Sequence, residues 1–363
     1  MRHIGSRIQA ATGRRIHPDS GARRRSRLQQ GMAALLLCLT GSLQAKDYEL
    51  QSAFSKTIPI LGPAADRFVA QVDQLTNGQV RFKHLGEGEL SPAFEILDNV
   101  GAGAIAAGWS YAGYTAGKAP AAALFGSIPF GPEAIKYVSW VHHGGGLALW
   151  RELYEPLQVV PMPCGVIISE AAGWFTREIN TPADLRGLNF RIGGLGGQIL
   201  AKLGANPMSI PVGEISTSLE TGRLHGTELS SPLVDALMGF DKVAKHYYFP
   251  GWHQPSGFIE FYMNRDAWRG LTDPQRLAIE TACQDINLWT IGQAAAAQQP
   301  FLETFRASGV SIKRLPDSVL DALRQASEEV MREQSAADPM FKRVLESYRR
   351  YADAWDAYAE LNR

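Results

Sequence analysis

From residue 46 onward, short apolar runs alternate with longer stretches whose apolar positions recur every three or four residues. The first pattern suits strands and the second amphipathic helices. Residues 48–52 read as a strand. Residues 63–75, with Ala65, Phe68, Val69 and Val72 at helical spacing, read as a helix that Asn77-Gly78 ends. A strand over 80–84, a short helix over 92–100, a strand over 103–107 and a loop over 120–132 follow. Residues 135–154 read as helix broken at Gly144-Gly145-Gly146, because consecutive glycines are poor helix formers.

The same alternation then restarts. The pattern predicts a strand over 165–169, a short helix at 181–185, strands over 188–192 and 206–210, and helices over 198–203, 214–221 and 233–238. The longest helix is predicted from Thr272-Asp273-Pro274-Gln275 to about Gln299. Thr272 or Asp273 caps it, Pro274 suits the first turn, and Gln275 completes a capping box. At 1.5 Å per residue it would run roughly 40 Å, longer than one lobe, so it is expected to brace two. Two further helices, 317–334 and 338–361, are separated near Asp338-Pro339. The fold class is therefore α/β, in two lobes: 46–163 the first, 164–255 the second, and 256–363 a return strand, the bracing helix and the C-terminal helices. Such a pattern points to a hinged ligand-binding architecture, with a two-domain α/β enzyme as the runner-up.

Charge sharpens the picture. The chain has 36 basic and 36 acidic residues, but residues 1–45 hold eight arginines and a single acidic residue, Asp19. The remainder therefore carries 28 basic and 35 acidic residues, a net −7. A body this acidic has little with which to neutralise phosphates, which argues against nucleic acid as a partner. The basic run Arg23-Arg24-Arg25-Ser26-Arg27, the apolar stretch 31–39 and the small, polar exit to Ala45 have the order of an export signal. The apolar stretch is too short to span a bilayer. The expectation is a protein cleaved near Ala45 and delivered to the periplasm. Cys164 and Cys283 then remain, and they are expected to be two buried thiols.

Candidate chemistry is concentrated after residue 160. The predicted strand Leu188-Asn189-Phe190-Arg191-Ile192 is followed by Gly193-Gly194-Leu195-Gly196-Gly197 and a helical stretch. A strand, a glycine turn and a helix start expose backbone N–H groups, and an arginine beside them offers a two-pronged donor for a carboxylate. The glycine spacing is wrong for a dinucleotide fingerprint and no phosphate-loop lysine follows. Glu228, in a run of small and apolar residues, and Glu170, at the end of a predicted strand, each need a cation, a donor or solvent. His142-His143 lacks the companion spacing of a metal site and is read as structural or exposed. No nucleophile elbow, Cys-x-x-Cys or His-Glu-x-x-His occurs, so the chain is read as a binding protein, not an enzyme.

The stretches Gly173-Trp174-Phe175-Thr176-Arg177-Glu178-Ile179, Asp184-Leu185-Arg186-Gly187-Leu188-Asn189-Phe190-Arg191-Ile192-Gly193-Gly194, Leu203-Gly204-Ala205 and Tyr247-Tyr248-Phe249-Pro250-Gly251-Trp252-His253 follow one another in this order. Together they resemble the extracytoplasmic solute receptors of TRAP (tripartite ATP-independent periplasmic) transporters, in the 2-oxo-acid-binding branch. The resemblance implies a two-lobed, periplasmic-binding-protein-like fold that closes on a small organic carboxylate and works with the transporter's membrane subunits. It implies that Arg191 clamps the ligand carboxylate. It assigns Glu228 to a metal ion, sodium or calcium, that bridges to the ligand, with Leu229 at the adjoining metal-site position where the branch has Trp. Glu170 stands where the branch has Gln, and the added negative charge favours a divalent ion or a nitrogen-bearing ligand. Trp109, Ser110 and Tyr114 fall in a ligand-facing stretch of the first lobe, and Trp252, His253 and Gln254 in another. The alternatives are the same fold binding a nitrogen-bearing carboxylate without metal, or a periplasmic ligand sensor. Monomer and homodimer both stay open.

Overall fold

The computed structural model describes residues 45–210 and 214–361, so the basic and apolar export segment lies outside the described residues. In chain order the described strands are β1 (Lys46–Ser52), β2 (Val80–Leu85), β3 (Ala107–Tyr111), β4 (Val159–Ile167), β5 (Gly173–Phe175), β6 (Asn189–Arg191), β7 (Asn206–Met208), β8 (Gly226–Thr227), β9 (His246–Phe249), β10 (Gly257–Asn264) and β11 (Ser311–Arg314). They form two sheets, ordered β2-β1-β3-β10-β4 and β11-β9-β5-β8-β6-β7. In the first, β2, β1 and β3 are parallel while β10 runs antiparallel to both β3 and β4. In the second, β5 is antiparallel to β8 and β9, and the remaining pairs are parallel.

This topology defines the crossings between lobes. The chain leaves the first sheet after β4 and enters the second at β5, leaves the second after β9 and returns at β10, and crosses once more between β10 and β11. Residues 168–172 and 250–256 are therefore side-by-side crossover segments. Glu170 N donates to Gln254 O at 3.3 Å, and Ala172 N to Tyr248 O at 2.8 Å. A Cβ on Gly251 would sit 2.3 Å from the Glu170 carbonyl oxygen, so only glycine allows the two segments to touch there.

Two strand boundaries differ most from those the sequence predicts. The strand expected at 103–107 lies at Ala107–Tyr111, because Gly103 (φ +78°) forms a left-handed turn after the preceding helix. The strand expected at 165–169 is the end of β4, which begins at Val159 and belongs to the first sheet, so the second lobe starts beyond Ile167. Pro161 and Pro163 hide β4 from sequence patterning. They are tolerated because β4 is an edge strand with one side free of ladder bonds.

The long helix runs Asp273–Ala297, and the reciprocal capping box of Thr272 and Gln275 is formed. It lies along the first lobe. Asn287 Oδ1 accepts from Gly165 N at 2.7 Å, and Thr290 Oγ1 from Val166 N at 2.9 Å, satisfying β4 amides where its register against β10 shifts. Arg67–Asp285 and Arg151–Glu280 ion pairs add to the attachment. Just past its C-terminus, Gln298 Oε1 accepts from Leu233 N of the second lobe at 3.0 Å, so the helix reaches both. The two cysteines are not free thiols as expected. β4 lies directly against this helix, the Cα atoms of Cys164 and Cys283 are 4.2 Å apart, and the residues form a disulfide.

The cores follow from the pattern. Phe68, Trp109 and Phe261 interlock under the first sheet, with centroids 5.5 and 4.9 Å from Phe68. Trp174, Tyr247, Phe240 and Phe305 pack in the second lobe, Trp174 stacking on Tyr247 at 4.0 Å. Fully buried rings of this size contribute on the order of 2–3 kcal/mol each through removal of apolar surface from water.

Candidate ligand and metal site

β6 and β8 are parallel neighbours that pair Arg191 with Thr227, so Arg191 and Glu228 emerge together from adjacent strand ends. Glu228 N donates to Arg191 O at 3.1 Å. The Arg191 guanidinium returns across the same gap: Nη1 donates to Glu228 Oε1 at 2.7 Å and to the Glu228 carbonyl at 3.0 Å. The helix after the glycine turn begins at Gly194, earlier than the sequence predicts. A Cβ on Gly196 would meet Ile192 at 2.7 Å and the His253 Cβ at 3.1 Å, so this glycine lets the helix approach the crossover.

The crossover segments supply the rest. His253 Nε2 lies 3.6 Å from Glu170 Oε2 and 3.7 Å from Glu228 Oε2. These are ion-pair separations, and neither ring nitrogen has a hydrogen-bond partner among the described residues. All three side chains are buried, and one ligating atom from each lies within 4.8 Å of the others. Carboxylate oxygens at that spacing fit a cation such as sodium or calcium. Burial pushes the Glu170 carboxyl up to about 7, against the opposing effect of His253. Burial acts on Glu228 in the same direction, but Arg191 and His253 outweigh it and hold Glu228 below the usual carboxylate range. Burial alone would lower the His253 pKa; the two carboxylates reverse this and raise it to about 9.

Other predicted residues divide between the site and the cores. Tyr111 OH donates to Gln254 Oε1 at 2.7 Å, joining β3 to the second crossover. Tyr114 is 38% exposed, its ring 5.4 Å from Tyr111 and 4.9 Å from Phe94, and it feels the charges of Arg191 and Glu228. Trp109 instead lies wholly in the first core, and Ser110 is buried beside Tyr262. Trp252 packs against Phe130 and lines the second-lobe interior with Phe175, Phe190 and Leu323. The Leu229 side chain packs on the second core and has no ligating atom, so only its backbone could face an ion. A cavity of about 520 Å³ lies elsewhere, lined by Tyr48, Lys83, Ile105 and Asn264 of the first lobe, and includes none of these charged groups.

Two contributors escaped sequence reasoning. Tyr111 sits inside the ligand-facing stretch, but only pairing across to Gln254 singles it out. Asp235, buried in the helix Pro232–Met238, accepts from Trp174 Nε1 (2.9 Å), Tyr247 OH (2.8 Å) and Ser230 N (3.2 Å). It thereby holds the segment that follows Glu228. A lone Asp among Leu233, Val234, Ala236 and Leu237 was the available signal.

Comparison with known proteins agrees with this architecture. The family described as bacterial extracellular solute-binding protein, family 7, matches residues 53–338. A monocarboxylate 2-oxoacid-binding periplasmic protein of Nostoc is 33% identical over 301 residues, 82% of this chain and 83% of that protein. A TRAP transporter solute-binding protein from Bordetella bronchiseptica, solved with copurified calcium and picolinate, is 31% identical with a TM-score of 0.84, covering 88% of this chain and 95% of that one. A TRAP periplasmic solute-binding protein from Pseudoalteromonas atlantica with bound sodium and pyruvate is 29% identical with a TM-score of 0.83, covering 88% and 97%. The chain belongs to family 7 of the bacterial extracellular solute-binding proteins, the solute receptors of TRAP transporters.

Proposed function

We propose that this receptor, matured near Ala45 and working outside the cytoplasm, binds a small 2-oxo or 2-hydroxy carboxylate between its lobes and delivers it to TRAP membrane subunits. The observation that carries this reading is the buried group of Arg191, Glu228, Glu170 and His253 where the crossover segments meet the second sheet. Arg191 commits one nitrogen to Glu228, which leaves guanidinium N–H groups for a ligand carboxylate in the two-pronged geometry arginine favours. Glu228 and Glu170 would hold a cation, and that cation would neutralise two carboxylates which otherwise repel an acidic ligand. Tyr114 and Tyr111 would close over the ligand from the first lobe. Because Glu170 and His253 lie on the crossovers themselves, occupancy of the site couples to the angle between the lobes.

Calorimetry with pyruvate and with picolinate, in buffer containing sodium and calcium, tests the reading. Saturable binding that weakens after chelation in sodium-free buffer is expected. The absence of binding to either acid, with a folded protein, would overturn it.

A further inference from the structure

We infer that His253 is a ligand to the cation at this site, and that the resulting mixed oxygen and nitrogen set selects a borderline divalent ion of the zinc or cobalt class over calcium and sodium. The inference rests on the reading that the cluster holds a cation. Three observations carry it beyond that reading.

The first is the aim of the imidazole. His253 is 7% exposed, and its Nε2 faces Glu170 Oε2 and Glu228 Oε2 at 3.6 and 3.7 Å. The second is that neither nitrogen of this ring has a hydrogen-bond partner among the described residues. A buried Nε2 held beyond hydrogen-bond reach of the two carboxylates it faces is poorly satisfied, and an ion between the three atoms would bond all of them. The third is how Glu228 divides its oxygens: Oε1 takes Arg191 while Oε2 faces the imidazole, so cation and arginine do not compete for one atom.

Spacing alone does not choose the ion. With bonds of about 2.1 Å, tetrahedral ligands lie roughly 3.4 Å apart, and longer calcium bonds at right angles give nearly the same value. The donors choose. Calcium and sodium sites are built of oxygen, whereas imidazole together with carboxylates is a set that zinc and its neighbours prefer. Two protein carboxylates, one imidazole and a ligand oxygen make four donors, the number zinc takes when one position is left for an incoming molecule.

The test uses the mature protein after exhaustive chelation. Cobalt(II) titration should produce a visible absorption spectrum that zinc abolishes by displacement, and competition should place zinc at least about 100-fold tighter than calcium. His253→Gln, which substitutes an oxygen donor, should lower the zinc-to-calcium preference at least tenfold and alter the cobalt spectrum. X-ray absorption of the zinc-loaded wild type should show imidazole scattering, a readout that holds even if the variant misfolds. An unchanged cobalt spectrum and preference in His253→Gln, or zinc without an imidazole neighbour, overturns the inference. Carboxylate binding supported by calcium alone would sink the inference and leave the receptor reading intact. Carboxylate binding that ignores every cation, with no metal taken up, would remove the cation from both.

Discussion

Replacing Arg191 should separate ligand affinity from fold stability, and the structure indicates by how much. The Arg191 and Glu228 side chains are 19% and 11% exposed, so their 2.7 Å contact is a buried charge pair, not a surface one. Arg191→Met removes the ligand's clamp and strands the partner carboxylate. Leaving a bound ligand carboxylate without its buried charge partner costs on the order of 3 kcal/mol, and at about 1.4 kcal/mol per decade this is more than a hundredfold in affinity. Arg191→Lys keeps a charge but not the planar fork, so a loss of roughly tenfold is expected. The fold should suffer less than the affinity, because Glu228 keeps a second neighbour across the site, His253 at 3.7 Å. Calorimetry on both variants, paired with thermal melts in the absence of ligand, measures the two effects apart. Near-native affinity for Arg191→Met would refute the clamp. Equal losses for Lys and Met would show that the fork geometry does not matter.

Two further outcomes follow from buried chemistry outside the site. Cys164→Ser with Cys283→Ser opens a loop with a sequence separation of 119 residues, and should lower stability by about 2–5 kcal/mol in urea unfolding; an unchanged midpoint would mean the tie contributes nothing to the fold. Glu260, buried in the first lobe and bonded by Tyr154 OH at 2.8 Å, has its carboxyl raised by burial from 4.5 to about 8. A raised folded-state value means its contribution is complete below about pH 4.5 and is lost as pH climbs through about 8. Glu260→Gln should therefore be relatively more stable than the parent at pH 9 than at pH 5, by a few kcal/mol at most; identical pH profiles would contradict the assignment.

Much of the fold was legible because local chemistry and tertiary role coincide. Thr272 and Gln275 announce a helix start and form one; Phe68 and Val72 announce a buried helical face and are fully buried. β4 was misplaced because its prolines argue locally against a strand, and only its edge position, a property of the whole sheet, makes them harmless. The disulfide was missed for the same reason: closeness of Cys164 and Cys283 is set by how a helix lies on a strand. At the site, Arg191, Glu228 and Glu170 could be singled out as charges in apolar surroundings. Trp109 could not be excluded, since a tryptophan beside ligand-facing residues looks alike whether it faces the cleft or the core. The charge relation of His253 to two carboxylates exists only once the crossovers are brought side by side.

The position of the Cys164–Cys283 tie also shapes how the molecule would respond to pulling on its ends. Strands β5 to β9, which carry most of the second sheet, lie between the two cysteines, and β4 and the long helix form the base of that loop. Under tension the force path enters Cys164, passes through the sulfurs and leaves at Cys283, bypassing everything between. A loop of this sequence separation, 119 residues, would add roughly 400 Å if drawn out, and that length stays hidden while the bond holds. Those strands are thus mechanically shielded: they can unfold and refold with the chain's stretched length unchanged, and a reductant is the signal that would make their unravelling visible.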